Sequence, residues 1–318
     1  MSSMVEIEGL TKRFGPITAV DDMTFSVERG ESLCFLGPNG AGKSTVMKMI
    51  TGFLPLTAGS IKVCGYDIVD HPIEAKRRIG YLPEGAPLYG DMTAIGLLNF
   101  VANIRRLSAA RKKRGIEFAI ECLHLQKVLH QSIETLSKGY KRRVGLAQAI
   151  VHDPEILILD EPTDGLDPNQ KHEVRTLLRQ MESDKAIIIS THILEEVDAV
   201  SNRVIVIAKG RVVADQTPIQ LEEQSRFHNA VGIRIPAERA DHCVTILNTI
   251  GAVRAVEAKI QPDGLSELMA FPANGGEILD SVRSVMDREG LDTAEIYVEH
   301  GRLEDVFRDL TIGDAMSR

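Results

Sequence analysis

The sequence lacks any C-x-x-C spacing: Cys34, Cys64, Cys122 and Cys243 stand far apart. This excludes a zinc knuckle or a disulfide framework and leaves buried free thiols in a reducing cytoplasm as the simpler account. No apolar run is long enough to cross a bilayer, and the opening Met1-Ser2-Ser3-Met4-Val5-Glu6 has none of the features of a signal peptide, so any membrane role must come through a partner. A basic excess is missing too. The 37 Lys and Arg against 45 Asp and Glu give a net charge of −8, which argues against non-specific binding to nucleic acid or anionic lipid and favours plain solubility. The one basic run, Arg111-Lys112-Lys113-Arg114, has no interleaved aromatics and reads as a solvated linker between two helices. Apolar material is not short: 318 residues, 43% of them hydrophobic, can supply a large domain and a small one, each with its own core.

What is present begins with a glycine-rich stretch, Gly37-Pro38-Asn39-Gly40-Ala41-Gly42-Lys43-Ser44-Thr45, set between the apolar run Ser32–Leu36 and a helix predicted over Lys43–Ile50. Strand, glycine turn and helix start together make a cradle for a nucleotide's phosphates. The glycines let successive N–H groups point inward, Lys43 adds a cation, and the helix N-terminus adds its partial positive charge. The Ser44 hydroxyl is placed to ligate Mg²⁺.

Around this loop the periodicity alternates between strand and helix. Residues 5–27 read as antiparallel strands about a turn at Arg13-Phe14-Gly15-Pro16, where Phe14 either stacks on an adenine ring or caps a small β core. A short strand is predicted at 59–65. Glu84 follows the strand Gly80-Tyr81-Leu82-Pro83 at the sheet edge where ligands gather, and by itself it is a solvated loop acid. From 92 to 150 the pattern is helical, with Ile116, Ala119, Ile120 and Leu123 on one face and Val144, Ala147, Gln148 and Val151 on another, so a helical subdomain is inserted there. Within it Ser137-Lys138-Gly139 precedes a long helix, either as a plain N-cap or as a second phosphate contact.

The uninterrupted run Ile156-Leu157-Ile158-Leu159 is a central parallel strand and ends in Asp160-Glu161. Two adjacent acids at the end of a buried strand are expensive unless a cation relieves them. The phosphoryl-transfer template needs one acid to hold Mg²⁺ and one group to activate water, and Asp160 and Glu161 suit those roles. After the turn Asp164-Gly165-Leu166-Asp167 and a helix, a second apolar run, 186–189, ends in Ser190-Thr191-His192. Of nine histidines only His192 has such a strand-end place. A hairpin about Lys209-Gly210 closes this part near residue 220. Beyond 221 the order is βαββαβ with a last amphipathic helix carrying Leu303, Val306, Phe307 and Leu310, a ferredoxin-like α+β module for regulation or subunit contact.

Taken together these motifs resemble the ATP-binding subunits of ABC transporters. Residues 37–45 match the Walker A motif, 156–161 Walker B, 136–140 the signature sequence, 164–167 the D-loop, and His192 the switch histidine. The resemblance implies an α/β P-loop NTPase in residues 1–220 and an accessory domain in 221–318. It implies ATP and Mg²⁺, with Ser44, Asp160 and Glu84 about the metal and Glu161, His192 and Lys43 acting in hydrolysis. Phe14, residues 37–45, Glu84, Asp160 and Asp167 would contact nucleotide, joined by Ser137 and Gly139 of a second copy in a head-to-tail homodimer or an ABC heterodimer. It further implies an integral membrane permease subunit, which would hold the protein on the inner face of the membrane. Four positions depart from the pattern: Glu84 replaces glutamine, Lys138 and Tyr140 turn LSGGQ into LSKGY, and Phe14 replaces tyrosine. With the Leu303-Glu304-Asp305-Val306-Phe307 segment these look like the ABC-2 exporter branch, including its gliding-motility-associated subfamily. A soluble, non-transport ABC ATPase is the alternative, but the long coiled coil or second cassette of such proteins is missing.

Overall fold

The computed structural model describes residues 3–312, which divide into two compact units between Pro218 and Ile219. In the first, β1 (Val5–Phe14) and β2 (Ile17–Val27) form a hairpin; β3 (Ser32–Leu36) leads into α1 (Lys43–Ile50); and β4 (Ala58–Val63) and β5 (Tyr66–Asp67) return beside β1. Then come α2 (Pro72–Arg77), β6 (Ile79–Leu82), α3 (Ala94–Ile104), α4 (Ala109–Cys122), α5 (Lys138–Ile150), β7 (Ile156–Asp160), α6 (Pro168–Glu182), β8 (Ala186–Thr191), α7 (Leu194–Val200), β9 (Arg203–Ala208) and β10 (Arg211–Gln216). A short α8 (Pro218–Glu222) follows.

Two sheets result. One is antiparallel in the order β2-β1-β4-β5, and the other has six strands in the order β10-β9-β3-β8-β7-β6. Within the larger sheet β9, β3, β8, β7 and β6 run parallel and only β10 is antiparallel. Every residue of β3, β7 and β8 is buried, which is why those strands read as unbroken apolar runs rather than alternating ones. Their carboxyl ends face one edge, so the loops after β3, β6, β7 and β8 converge there. Of the four thiols Cys34 and Cys243 are buried, while Cys64 and Cys122 are only partly so; burial pushes Cys34 up to about 12, an inert thiol.

The basic run is not a linker. Arg111 to Arg114 form the first turns of α4, because Ser108 caps the helix by accepting from the Arg111 N–H at 3.4 Å and Arg and Lys are good helix formers. Gly115 follows them for a steric reason: a Cβ there would lie 2.0 Å from the Val151 carbonyl oxygen at the end of α5. Gly115→Ala should therefore lose about 1 to 3 kcal/mol to overpacking despite alanine's better helix propensity. A urea midpoint that rises instead would show that the α4 to α5 crossing can open.

In the second unit β11 (Val231–Pro236), α9 (Ala240–Leu247), β12 (Val253–Ile260), β13 (Leu265–Pro272), α10 (Leu279–Arg288) and β14 (Glu295–Val298) precede α11 (Leu303–Ile312). The sheet order is β12-β13-β11-β14 with every neighbouring pair antiparallel. Val231, Ile233, Leu268 and Ala270 pack with Cys243, Leu247, Val282 and Met286 of the helices into a core of its own.

Candidate functional site

Asn39 to Thr45 line a cleft of about 410 Å³ together with Ala19, Glu84, Glu161 and His192. The loop after β3 is held in shape by its glycines. Gly42 has φ of +111°, and a Cβ on it would sit 2.7 Å from the Ala19 carbonyl, so an L side chain there is both strained and blocked. Lys43 opens α1 and is 6% exposed; its Nζ donates to the carbonyls of Gly37 at 2.5 Å and Pro38 at 3.1 Å. Burial pulls its pKa below 10.5, and the charges of Glu161, Asp160 and Glu84 push back upward. An anion in the cleft would add to that upward push.

The two acids at the end of β7 have different surroundings. Asp160 is 1% exposed, its Oδ1 accepts from the Ser190 hydroxyl, and its buried Oδ2 has no hydrogen-bond partner. A buried, unpaired carboxylate oxygen calls for a cation or donor. Glu161 turns the chain with φ of +51°, a left-handed conformation that a non-glycine residue adopts at a cost. Its N–H donates to the Ser190 carbonyl at 3.2 Å and hydroxyl at 3.1 Å. Its carboxylate accepts from His192 Nδ1 at 2.8 Å. Ser190, a fully buried position of β8, thus sets the spacing of both acids.

The other expected contacts are not in this cleft. Phe14 ends β1, 46% exposed, with Lys12 Nζ 5.0 Å from its ring centre. Ser137 caps α5 by accepting from the Tyr140 N–H at 3.3 Å, and Asp167 caps α6 by accepting from Gln170 at 2.9 Å. The N-cap reading of Ser137 is therefore realised within the chain, and Gly139 lies beside Gln170 and Leu166. Lys138 ion-pairs with Asp164 at 2.9 Å.

Sequence reasoning missed two partners. Arg142, buried in α5, donates to the carbonyls of Asp160 and Glu161. Glu196 of α7, 3% exposed, accepts from Thr163 at 2.6 Å and Thr191 at 3.3 Å and pairs with Lys171 and Arg175. Burial would raise its pKa, but the hydrogen bonds from Thr163 and Lys171 overcome this and hold the carboxyl below its usual range. The charge of Glu196 thereby joins the turn after β7 to the turn after β8. The signal available was its place four residues after His192, in the first turn of α7.

Residues 20–164 match the family described as ABC transporter. The uncharacterized ABC transporter ATP-binding protein YhcH of Bacillus subtilis is 35% identical over 82% of this chain and 85% of its own length. The chain belongs to the ABC transporter ATP-binding proteins. Nod factor export ATP-binding protein I of Ralstonia nicotianae is 31% identical over 97% of this chain and 94% of its own. A solved ATP-binding subunit of an ABC transporter superposes with a TM-score of 0.66 at 31% identity, covering 70% of this chain and 93% of that one.

In this ABC protein no cluster of three or more His, Cys, Asp and Glu side chains among the described residues could hold a metal alone. Asp160 is not among the residues lining the cleft, but its unpartnered Oδ2, taken with the cleft residues Ser44 and Glu84, makes an oxygen donor set that suits Mg²⁺ once phosphate oxygens complete it.

Proposed function

We propose that this ABC ATP-binding protein hydrolyses ATP in a head-to-tail dimer and drives an exporter of the ABC-2 type, in the branch that includes the gliding-motility-associated subfamily. The observation that supports the dimer is that Ser137 and Gly139 do not line the cleft; on this reading a second copy brings them over the nucleotide. Export is supported by the Nod factor export relative, whose alignment runs through 97% of this chain and so includes the second unit. The β12-β13-β11-β14 order fits a ferredoxin-like accessory domain, and α3 to α5 make the inserted helical subdomain.

The geometry supports a set of roles. Lys43 exchanges the Gly37 and Pro38 carbonyls for phosphate oxygens. Ser44 and Asp160, with Glu84 as a third donor, would hold Mg²⁺, which screens the phosphate charge when bound. Glu161 polarises the attacking water. His192, whose Nδ1 lies 2.8 Å from the Glu161 carboxylate, orients the γ-phosphate.

A membrane partner has a surface to meet. Phe53, Ile73 and Ile104 are 76%, 62% and 63% exposed around a groove of about 720 Å³ rimmed by Lys76, Arg77 and Arg106. An adjoining groove shares Phe53, Tyr81 and Arg105 and reaches Glu84, which also lines the nucleotide cleft. An apolar face of this kind marks a docking site, and its occupant on this reading is a cytosolic segment of the permease. The test is co-purification of the tagged chain with a multi-span subunit from membranes. Phe53→Asp should abolish that capture while ATP binding persists, and a chain never recovered with membranes overturns the transporter reading.

A further inference from the structure

Arg142 occupies the second turn of α5 and is 4% exposed. Its guanidinium spends its donors on main-chain carbonyls from two separate loops. Nε reaches Pro162 at 3.4 Å, Nη2 reaches Asp160 at 2.5 Å and also Glu161, and Nη1 reaches Pro83 at 3.3 Å. The first three carbonyls belong to the turn that carries the catalytic acid; the last directly precedes Glu84. A planar fork with five N–H donors can span both loops, whereas a lysine ammonium is a point donor and cannot.

The same helix begins at the Ser137 cap, and its first turn is attached to the following segment by the Lys138 to Asp164 ion pair. The ion pair is exposed and contributes little. The buried fork is the stronger link. Glu161 moreover sits at φ of +51°, a strained conformation that persists only where surrounding contacts over-determine it. Ser190 supplies two of those contacts at its N–H, and at its carbonyl the Asp164 N–H, at 3.1 Å, and the Arg142 side chain both donate.

We propose that Arg142 is a positioning residue of the hydrolytic site, tying the backbone of Glu161 and the backbone leading into Glu84 to the helix that starts at Ser137. The inference rests on the ATPase reading above. In a closed pair the Ser137 to Gly139 turn meets the nucleotide of the other copy, and Arg142 carries that contact to the Glu161 of its own copy.

The experiment compares steady-state hydrolysis by the wild type, R142K, R142M, E161Q and the two double variants, with ATP binding measured separately by equilibrium dialysis. Wild-type turnover that collapses in E161Q establishes the parent reading by itself; no turnover in the wild type sinks that reading without touching Arg142. For R142K a displaced carboxylate should lower kcat by about 10²-fold with KM and ATP affinity within about threefold, and should cost no more than about a further twofold in the E161Q background. R142M should behave alike and keeps the test open if one variant folds poorly. Near-wild-type turnover in either variant, or a loss that repeats in full when Glu161 is already gone, overturns the proposal. Loss of ATP binding by both variants also overturns it, since Arg142 would then be a folding residue.

Discussion

Glu161→Gln is expected to slow ATP hydrolysis by about 10² to 10⁴-fold, the range that general-base assistance supplies, while ATP binding persists. The amide keeps the size of the side chain and still accepts from His192 Nδ1, which stands 2.8 Å from the carboxylate. What it removes is the negative charge that polarises water. It also removes one anion from a cleft that Glu84 lines as well, so ATP should bind at least as well as to the wild type. With hydrolysis blocked the γ-phosphate continues to bridge two copies, and the variant should run as a dimer in ATP and as a monomer in ADP on a sizing column. Near-normal turnover would remove Glu161 from this role.

The elements that sequence reasoning located are those whose chemistry lies in adjacent residues. Asp160 and Glu161 could be read from Ile156-Leu157-Ile158-Leu159 because a buried parallel strand must end where its carboxylates can be used. The phosphate loop was legible for the same reason, between β3 and α1. What could not be read is contact across sequence distance. Arg142 meets residues 18 and 19 positions later, and Ser190 meets an acid 30 positions earlier; no local pattern encodes either. The basic run failed for a different reason: four consecutive charges look like a loop when only hydrophobic period is counted, yet the Ser108 cap starts a helix at them that runs on through the buried Ile116 and Ala119. Lys138, a departure from the usual signature, has a local explanation in its pair with Asp164.

Lys43→Ala should weaken ATP binding by roughly 10 to 100-fold or more, since each charge-assisted hydrogen bond contributes about 1.5 to 3 kcal/mol, and hydrolysis should fall with it. The apo protein has no comparable need for the cation. In its absence the Gly37 and Pro38 carbonyls that Lys43 now satisfies can take water. The pH dependence gives the assignment a sharper form. Burial holds the Lys43 pKa below 10.5, so raising the pH through the alkaline range deprotonates it in the free protein before an exposed lysine would titrate. ATP requires the charged form, and binding in that range must take up a proton; affinity therefore falls as pH rises. Stability of the nucleotide-free protein moves the opposite way. A folded-state pKa below the unfolded one means that the unfolded chain binds more protons, so this group's penalty on folding is relieved as pH rises. Equilibrium dialysis and urea unfolding between neutral and strongly alkaline pH should show the two slopes with opposite sign in the difference between wild type and Lys43→Ala, which cancels the thiols and phenols whose pKa burial raises. Both contributions should vanish in Lys43→Ala, and an unchanged alkaline slope of ATP affinity in that variant would assign the proton to another group.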